Sequence, residues 1–253
     1  GTGALTVTAA ISLAQSNLKH EVSDFKRRRI REEASHLFFQ QGYEGTTLDA
    51  IAQRLDVTKP FLYTHYANKA ELLYDICRTG ILQSLAAIDP ILDDSTATAA
   101  DRLGRLVEAV LTIIFDYQEF IVVYEREEKN LDEMQAREIR EHRSLFDHKV
   151  AMLLEQGRAS AEFEVIDAVL TANTIGGMMT WVALWYRSGG KRTRHQIISH
   201  TLRMVFSAAG ANQKGQSDIL PLGHDEGGGI VVDKIGARKH QRQTRASPSA
   251  IAV

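Results

Sequence analysis

Apolar residues recur every three or four positions along most of this chain, the spacing typical of amphipathic α-helices. The spacing extends from about residue 21 to residue 210, and the alternating β-branched residues that indicate strands are nearly absent. Gly42 follows the first apolar face and should end its helix, because glycine is the usual residue just beyond a helix C-terminus. The pattern therefore predicts an all-α fold of about nine helices.

Local start and stop signals divide this helical zone. Asn68 is expected to begin a long helix that ends near Ile88, because the Asp89–Pro90 pair follows. Thr98, with Asp101 three residues later, resembles a capping box at the start of a fifth helix. The last two helices are joined only by Ser188–Gly190, so they should lie antiparallel. The other predicted helices cover 48–55, 59–66, 118–129, 131–157, 166–187 and 193–208.

The composition is that of an ordinary globular protein, with 44% hydrophobic and 25% charged residues and a net charge of −2 over 253 residues. These fractions exclude a fibrous repeat, wholesale disorder and a disulfide-rich scaffold. The only cysteine, Cys77, is expected to be a buried apolar residue, and its isolation favours a reducing cytoplasm. Residues 1–20 are predicted to be a flexible leader that makes a poor signal peptide. Residues 211–253, rich in Gly, Ser and basic residues, are predicted to be a flexible tail.

The segment from Ala168 to Tyr186 has no charged residue and is just long enough to cross a bilayer. Polar threonines and a Gly–Gly pair interrupt it, which favours a buried contact between helices over a membrane span. Small residues recur along it at intervals of four and would let another helix approach closely: Ala172, Gly176 and Thr180.

The segment from Thr46 to Lys69 has the dimensions of a helix-turn-helix, in which two short helices are separated by a three-residue turn. Ala52 is small enough to lie where the helices cross, and Thr58 is placed to cap the second helix. Pro60 falls in the first turn of that helix, where its missing N–H costs nothing. The N-terminus of the second helix should therefore face outward, toward a polyanion such as DNA.

Side chains suited to DNA cluster around this second helix. Base edges should be within reach of Lys59, Phe61 and Thr64. Phosphates should be contacted by Tyr63, His65, Tyr66 and Lys69, and by a second basic cluster at Lys26, Arg27, Arg28 and Arg29. Residues 21–75 contain 8 Lys and Arg against 9 Asp and Glu, so DNA binding would depend on where the charges lie.

Residues 26–73 closely resemble the signature of the tetracycline-repressor (TetR) family. The resemblance is carried by Thr47-Leu-Asp-Ala-Ile-Ala-Gln-Arg-Leu-Asp-Val-Thr-Lys-Pro-Phe-Leu-Tyr-Thr-His-Tyr-Ala-Asn-Lys-Ala-Glu-Leu and by the upstream Phe38-Phe-Gln-Gln-Gly-Tyr-Glu-Gly-Thr-Thr. One departure is Asp56, where the family usually has Gly in the turn. Asp tolerates left-handed backbone better than most residues, so the turn should be preserved.

This resemblance implies a homodimeric regulator with a helix-turn-helix DNA-binding domain over 21–67 and a ligand-binding and dimerisation domain over 68–210. A small molecule bound among the central helices would pivot the fourth helix and release an operator DNA. The resemblance also adds Thr47, Thr58 and Pro60 to the DNA-binding residues. Helices near 166–187 and 193–208 would form a four-helix interface with the partner subunit, with contacts from Ala172, Gly176, Thr180, Ile197 and Leu202.

Aromatic and methionine residues are frequent where such a ligand would bind, although residues at this spacing are more often plain core. The segment from Trp181 to Gly190 loosely resembles TetR members that respond to acyl-CoA thioesters, with Arg126, Arg140, Arg143 or Arg187 available for phosphates. The expected effector is therefore an acyl-CoA or another large apolar acid, with an uncharged hydrophobic molecule as the alternative. The expected ligand contacts are Phe115, Tyr117, Tyr124, Arg126, Arg143, Phe146, Met178, Trp181 and Trp185.

The chain has no His-Glu-x-x-His, P-loop or Gly-x-Ser-x-Gly motif, so no catalytic site, cofactor or metal is predicted. Glu138 and His142 have the i, i+4 spacing of metal ligands, but a solvated or pocket-lining role on a charged helix is simpler. The sequence thus predicts a cytoplasmic, dimeric repressor that an effector releases from a near-palindromic operator. Two alternatives stay open: an activator of the same fold, and a helical ligand-binding or enzymatic dimer that no longer binds DNA.

Overall fold

The computed structural model describes residues 2–211, with side chains from residue 18 onward. Over that range the chain folds into nine α-helices and one 3-10 turn, Glu128–Asn130, without a β-strand, which confirms the predicted all-α class. The predicted tail lies outside the described residues apart from its first position. The helices are α1 Thr2–Gly45, α2 Leu48–Leu55, α3 Lys59–Tyr63, α4 Lys69–Leu92, α5 Ala99–Asp116, α6 Gln118–Glu127, α7 Glu133–Ala159, α8 Ala168–Trp185 and α9 Arg194–Ala208.

The first helix is longer than predicted. Because α1 begins at Thr2, the structure does not place a separate leader over residues 1–20. Ala and Leu are frequent in that segment, and both favour helix intrinsically even where no apolar stripe is present. Gly42 has φ 77° and ψ 163°, so helical geometry is interrupted at the residue predicted to end this helix.

Two other boundaries differ from the predictions. α3 ends at Tyr63 instead of Tyr66, because the backbone then tightens and the His65 N–H donates to the Leu62 carbonyl three residues back. α4 continues through Pro90 to Leu92. Pro90 lies in the last turn, where it removes one N–H, and the Asp93 N–H still donates to the Asp89 carbonyl at 3.0 Å.

Side-chain caps fix most helix starts, and Thr98 caps α5 as predicted by accepting a hydrogen bond from the Asp101 N–H. Thr58 occupies the N-cap position of α3, as predicted, but its side chain makes no capping hydrogen bond. Pro60 has no N–H to donate, and the Phe61 N–H already donates to the Thr58 backbone carbonyl at 3.0 Å. The two N–H groups that usually bond an N-cap side chain, those of the second and third helical residues, are therefore missing or already bonded.

Two clusters of buried side chains form the interior. The first packs α2 and α3 against α1 and the start of α4, around Ile51 and Leu62. The second fills the bundle of α5, α7, α8 and α9. α4 contributes Ile76 to the first cluster and Ile88 to the second, so one continuous helix belongs to both. Among the helices of residues 2–211, none combines the length and the apolar character needed to cross a membrane.

Candidate nucleic-acid interface and central cavity

The turn between α2 and α3 fixes the orientation of the helix-turn-helix. Asp56 adopts the left-handed conformation predicted for it, with φ 54° and ψ 45°. Its N–H donates to the Gln53 carbonyl, and the Val57 N–H donates to the Ala52 carbonyl. Ala52 is buried between the helices, as its small side chain predicted. This left-handed residue redirects the chain within one turn, so that only three residues separate α2 from α3.

α3 presents one face outward and one face to the core. Leu62 is 1% exposed and anchors the inner face, whereas Tyr63 is 49% exposed on the outer face. Phe61 and His65 are half-buried, with ring centroids 5.0 Å apart in an edge-to-face arrangement. We call the outward residues here and beside them the recognition surface: Lys26, Arg28, Thr47, Thr58, Lys59, Pro60, Phe61, Tyr63, Thr64 and His65.

Positive charge on the recognition surface is concentrated at residues of α1. Within the described residues, Lys26 and Arg28 have no ion pair with an acid, and the Lys26 ammonium lies 5.6 Å from the Phe61 ring centroid. Lys59 is exposed but lies 3.0 Å from the Asp49 carboxylate, whose hydrogen bond raises the pKa of Lys59. Neutral overall charge is therefore compatible with DNA binding, because the acids of this domain neutralise cations mostly away from Lys26 and Arg28.

Histidine protonation adds little positive charge here. Partial burial, together with the nearby charges of Lys26 and Arg27, lowers the pKa of His65 below its usual value of 6.5. At neutral pH His65 is therefore an uncharged hydrogen-bonding and stacking group beside Phe61.

Three residues predicted to contact DNA instead hold the domain together. Tyr66 is 2% exposed, and its hydroxyl donates to Asp75 at 2.6 Å, so it is a core residue. Arg27 lies over the Tyr66 ring and donates to the His65 carbonyl and to Asp75. Lys69 donates to the carbonyls of Tyr43 and Thr46 at 2.8 and 3.0 Å. The polar atoms of these three side chains are hydrogen-bonded within the protein. The sequence pattern of basic and aromatic residues does not reveal these hydrogen bonds.

Asp75, on α4, is the centre of the largest buried polar network that joins the helix-turn-helix to the rest of the chain. Its carboxylate accepts hydrogen bonds from Tyr66, Arg27 and Arg31, and Arg78 donates to its other oxygen at 3.2 Å. Burial by itself would raise the pKa of Asp75. The hydrogen bond from Tyr66 and the charges of Arg31 and Arg78 outweigh burial and lower the pKa to about 2. The carboxylate is therefore ionised at all physiological pH values.

A cavity of about 210 Å³ lies among α4, α5, α6, α7 and α8. Its inner wall is formed by buried apolar side chains, including Val110, Ile114 and Ile139, and its rim by the exposed Glu125, Asn173 and Gly177. Apolar lining with a few polar groups at one side is typical of sites for small organic ligands. Of the predicted ligand contacts, the structure brings three to this wall: Tyr124, Arg143 and Phe146.

The other six predicted ligand contacts lie elsewhere. Phe115 packs on Tyr186, with ring centroids 4.7 Å apart, and Tyr117 packs on Phe120. Arg126 is exposed and donates to the Phe39 carbonyl at 3.3 Å. Met178, Trp181 and Trp185 lie on α8 outside the cavity wall. The reason is the composition of α8: it has no charged residue and no distinct apolar stripe, so its sequence does not indicate which face turns inward.

Several cavity residues were not predicted as ligand contacts, among them Cys77, Asp147, Asn173 and Met179. Cys77 is buried, as predicted, and burial raises the pKa of its thiol, so it forms an inert part of the wall. Met179 follows Met178 on the inward side of the helix. On α8, the i, i+3, i+7 spacing of Asn173, Gly176 and Thr180 places these residues on one side of the helix and is a sequence signal for this wall.

Polar groups of the cavity meet on one side. Arg143 lies over the Tyr124 ring and donates to Glu125 at 3.2 Å. Asp147 follows one turn later on α7, and burial raises its pKa although Arg143 opposes the effect. Across from it, a Cβ atom added at Gly176 would lie 3.1 Å from the Asp147 Oδ1 atom.

The residues predicted to form a subunit interface point inward. Ala172, Ile197 and Leu202 are buried within the chain's own core, and Gly176 and Thr180 line the cavity. Their small size instead allows close approach of α7 to α8 within one subunit, as the Gly176–Asp147 distance shows. The opposite side of α8 and α9 carries large exposed apolar residues, which we call the outer apolar face: Leu170, Trp181, Trp185 and Met204.

Within residues 2–211 the structure contains no group of three or more His, Cys, Asp and Glu side chains arranged to hold a metal ion. Glu138, one of the two residues at metal-ligand spacing, lies 3.9 Å from the Arg78 guanidinium instead.

Comparison with known proteins agrees with this architecture over most of the described chain. Residues 30–76 match the family model of bacterial regulatory proteins of the tetR family, and residues 96–209 match the tetracyclin repressor-like C-terminal domain. The HTH-type transcriptional repressor KstR2 of Mycobacterium tuberculosis is 30% identical over 184 residues, which span 72% of this chain and 91% of that protein.

Solved structures give the same result. The ketosteroid transcriptional regulator KstR2 of Mycobacterium tuberculosis superposes with a TM-score of 0.66 at 25% identity, covering 74% of this chain and 96% of that one. AibR in complex with isovaleryl coenzyme A and operator DNA superposes with a TM-score of 0.63 at 23% identity, covering 74% and 99%. The second likeness establishes a shared fold.

Proposed function

Since the chain belongs to the TetR family of DNA-binding transcriptional repressors, we propose that it represses transcription as a homodimer that a compact apolar effector releases from its operator. The observation that carries the proposal is the geometry of α3. Leu62 and Tyr66 anchor it to the core, so that Lys59, Tyr63 and Thr64 stand exposed on one outward face. A short helix held in this way can enter a major groove without losing its packing.

Each part of the recognition surface has a distinct role in this proposal. Lys59 and Thr64 contact base edges, and Tyr63 contacts a phosphate. Lys26 and Arg28 contact the backbone beside the groove, where their charges are not neutralised by neighbouring acids. Two copies of α3 read successive major grooves about 34–36 Å apart, which requires a near-palindromic operator.

The outer apolar face is the surface by which two subunits associate. Trp181 is 62% exposed and Leu170 64% exposed in the isolated chain. Burial against a second copy removes the free-energy cost of exposing this apolar surface to water. Both residues lie on α8, and Met204 extends the same surface onto α9. Two such helices from each subunit form a four-helix contact.

The central cavity holds the effector. A volume of about 210 Å³ is below the roughly 300–1,000 Å³ of sites for drug-sized ligands, so a short acyl group or a single ring system fits. An acyl-CoA would place its acyl group inside and its nucleotide outside, beyond the rim. Two of the four arginines suggested for its phosphates are already paired with acids: Arg140 with Glu128 and Glu133, and Arg143 with Glu125. The other two, Arg126 and Arg187, donate to backbone carbonyls.

Coupling between cavity and DNA passes through α4. Cys77, Gly80 and Ser84 line the cavity, and Asp75, only two residues before Cys77, holds Arg27 and Tyr66 of the helix-turn-helix side. An effector that fits one position of α4 better than another therefore shifts the separation of the two α3 helices. In this proposal the protein has no catalytic role and acts on DNA in the cytoplasm.

Selection of bound sequences from a random DNA pool, followed by affinity measurements across a salt series, tests the proposal. Recovery of a palindrome whose affinity falls steeply with salt is the expected result. Replacing both Lys59 and Tyr63 by Ala should weaken binding about 10- to 100-fold. Lys129 is an exposed cation outside the recognition surface, so Lys129→Ala should leave DNA binding unchanged. Failure to enrich any sequence, or binding indifferent to the double variant, would favour a helical dimer that no longer binds DNA.

A further inference from the structure

The cavity has a chemical preference that its apolar walls alone do not explain. Resting on the proposal that this cavity is the effector site, we infer that the effector carries a hydrogen-bond donor, a hydroxyl or an ammonium group, that binds the Asp147 carboxylate. The rest of the effector is an apolar body that packs on Ile114, Ile139 and Phe146.

Asp147 is an acceptor without an intramolecular donor. Among residues 2–211, whose contacts the structure describes, no hydrogen bond or ion pair to its carboxylate is present, although it is half-buried in the cavity wall. Burial raises the pKa of this carboxyl, which means that its ionised form is poorly solvated there. A ligand that donates a hydrogen bond would restore the solvation that the protein does not provide.

The wall opposite Asp147 has no side chain that covers the carboxylate, and open space lies beside Gly177, where an added Cβ atom would meet nothing within 4 Å. Gly176 and Gly177 of α8 face the cavity, and a side chain at Gly176 would press on the Asp147 carboxylate at 3.1 Å. Asn173 and Thr180 lie one turn to either side of this gap on the same strip of α8. The cavity thus has one polar strip, with the carboxylate across from its glycine gap and apolar walls elsewhere.

The other charges of the cavity disfavour a free carboxylate ligand. Its only cation, among the described lining residues, is Arg143, and this guanidinium already donates to Glu125 at 3.2 Å. With Glu125 and Asp147 ionised, the lining residues carry a formal charge of −1. A ligand carboxylate would meet one paired arginine and an unpaired acid, whereas a hydroxyl or an ammonium group meets a free acceptor. This disfavours the apolar free acids expected from the sequence, and an acyl thioester fits only where its acyl group itself carries the hydroxyl or ammonium donor.

Three probes with one ring separate these chemistries: cyclohexylmethanol, cyclohexylmethylamine and cyclohexanecarboxylate. Ligand-observed NMR titrations of the full chain at pH 7 measure the three affinities. The wild type should bind the alcohol and the amine at least about tenfold more tightly than the carboxylate. Asp147→Asn keeps an acceptor without the charge, so it should lose the amine preference and retain the alcohol. Asp147→Leu should lose both preferences.

Glu141→Gln is the matched control, because Glu141 is an exposed acid on the same helix and outside the cavity. Far-ultraviolet circular dichroism of each variant establishes that it is folded. A wild type that binds the carboxylate as tightly as the alcohol, or Asp147 variants with an unchanged order of affinities, would overturn the inference but leave the cavity as a ligand site. If none of the probes binds the wild type, the cavity itself fails as the effector site, and the proposed release mechanism fails with it.

Discussion

Asp75 is the residue on which the junction between the helix-turn-helix and α4 most depends, and Asp75→Asn tests that dependence. The substitution keeps the shape of the side chain but removes the charge that Arg27, Arg31 and Arg78 share. A carboxyl whose pKa is held at about 2, compared with 3.8 in an unfolded chain, stabilises the fold by about 2.5 kcal/mol at neutral pH. Asp75→Asn should lose roughly this amount, which corresponds to a melting temperature lower by about 5–10 °C.

The stability difference between the wild type and Asp75→Asn should also depend on pH. Because the pKa of Asp75 is lower in the folded state, its stabilisation is complete above about pH 4 and is lost as the pH falls through about 2. Urea unfolding followed by circular dichroism, at equal protein concentrations, should give a difference between wild type and variant that falls by about half at pH 3. Operator affinity should also fall, since Arg27 and Tyr66 lose their common acceptor.

Asp94→Asn is the matched control for this experiment. Hydrogen bonds from Arg105 and Thr96 also lower the pKa of Asp94 to about 2, but Asp94 lies at the surface, where water screens its interactions. It should therefore change stability little. The reasoning would be refuted if Asp75→Asn unfolded within about 0.5 kcal/mol of the wild type at pH 7, or if both variants behaved alike.

Three further substitutions test other parts of the structure. Gly157→Ala should destabilise the fold by about 1–3 kcal/mol in urea unfolding, because the new Cβ atom would lie 2.1 Å from the Phe163 ring; a neutral result would show that this packing is loose. Asp56→Gly should stabilise by up to about 1 kcal/mol, since glycine adopts φ 54° without strain, and a loss of stability would contradict the turn geometry. Asp49→Asn should free Lys59 for a base edge and raise operator affinity a few-fold; an affinity equal to that of the wild type would mean that Lys59 does not contact the DNA.

The sequence predicted the helices well, because most of them are amphipathic and begin at side-chain caps. Thr98 and Asn68 cap the helices they were expected to start, and Asp56 has the backbone conformation that its place in the turn required. The family resemblance is confirmed by the matches to both family models and to KstR2. These features depend on residues close in sequence, whose spacing is visible without a structure.

The candidate sites were predicted less completely, because they depend on contacts between distant residues. Tyr66 has the composition of a DNA contact, but Asp75, nine residues later, takes its hydroxyl into the core. α8 is uncharged and has no distinct apolar stripe, so spacing could not distinguish the side that lines the cavity, with Gly176, from the side that carries Trp181. The roles of the individual DNA, ligand and interface residues remain predictions for the experiments above.

The two tryptophans of this chain have a spectroscopic consequence. Trp181 and Trp185 both lie on the outer apolar face, away from the cavity wall. Indole fluorescence shifts to shorter wavelength when water leaves the ring, so the emission of this protein reports what covers that face. Dilution that separates subunits should move the emission to longer wavelength, whereas a ligand that enters the cavity of an intact dimer should leave it nearly unchanged. In the proposed dimer, this emission is an optical reporter of subunit association.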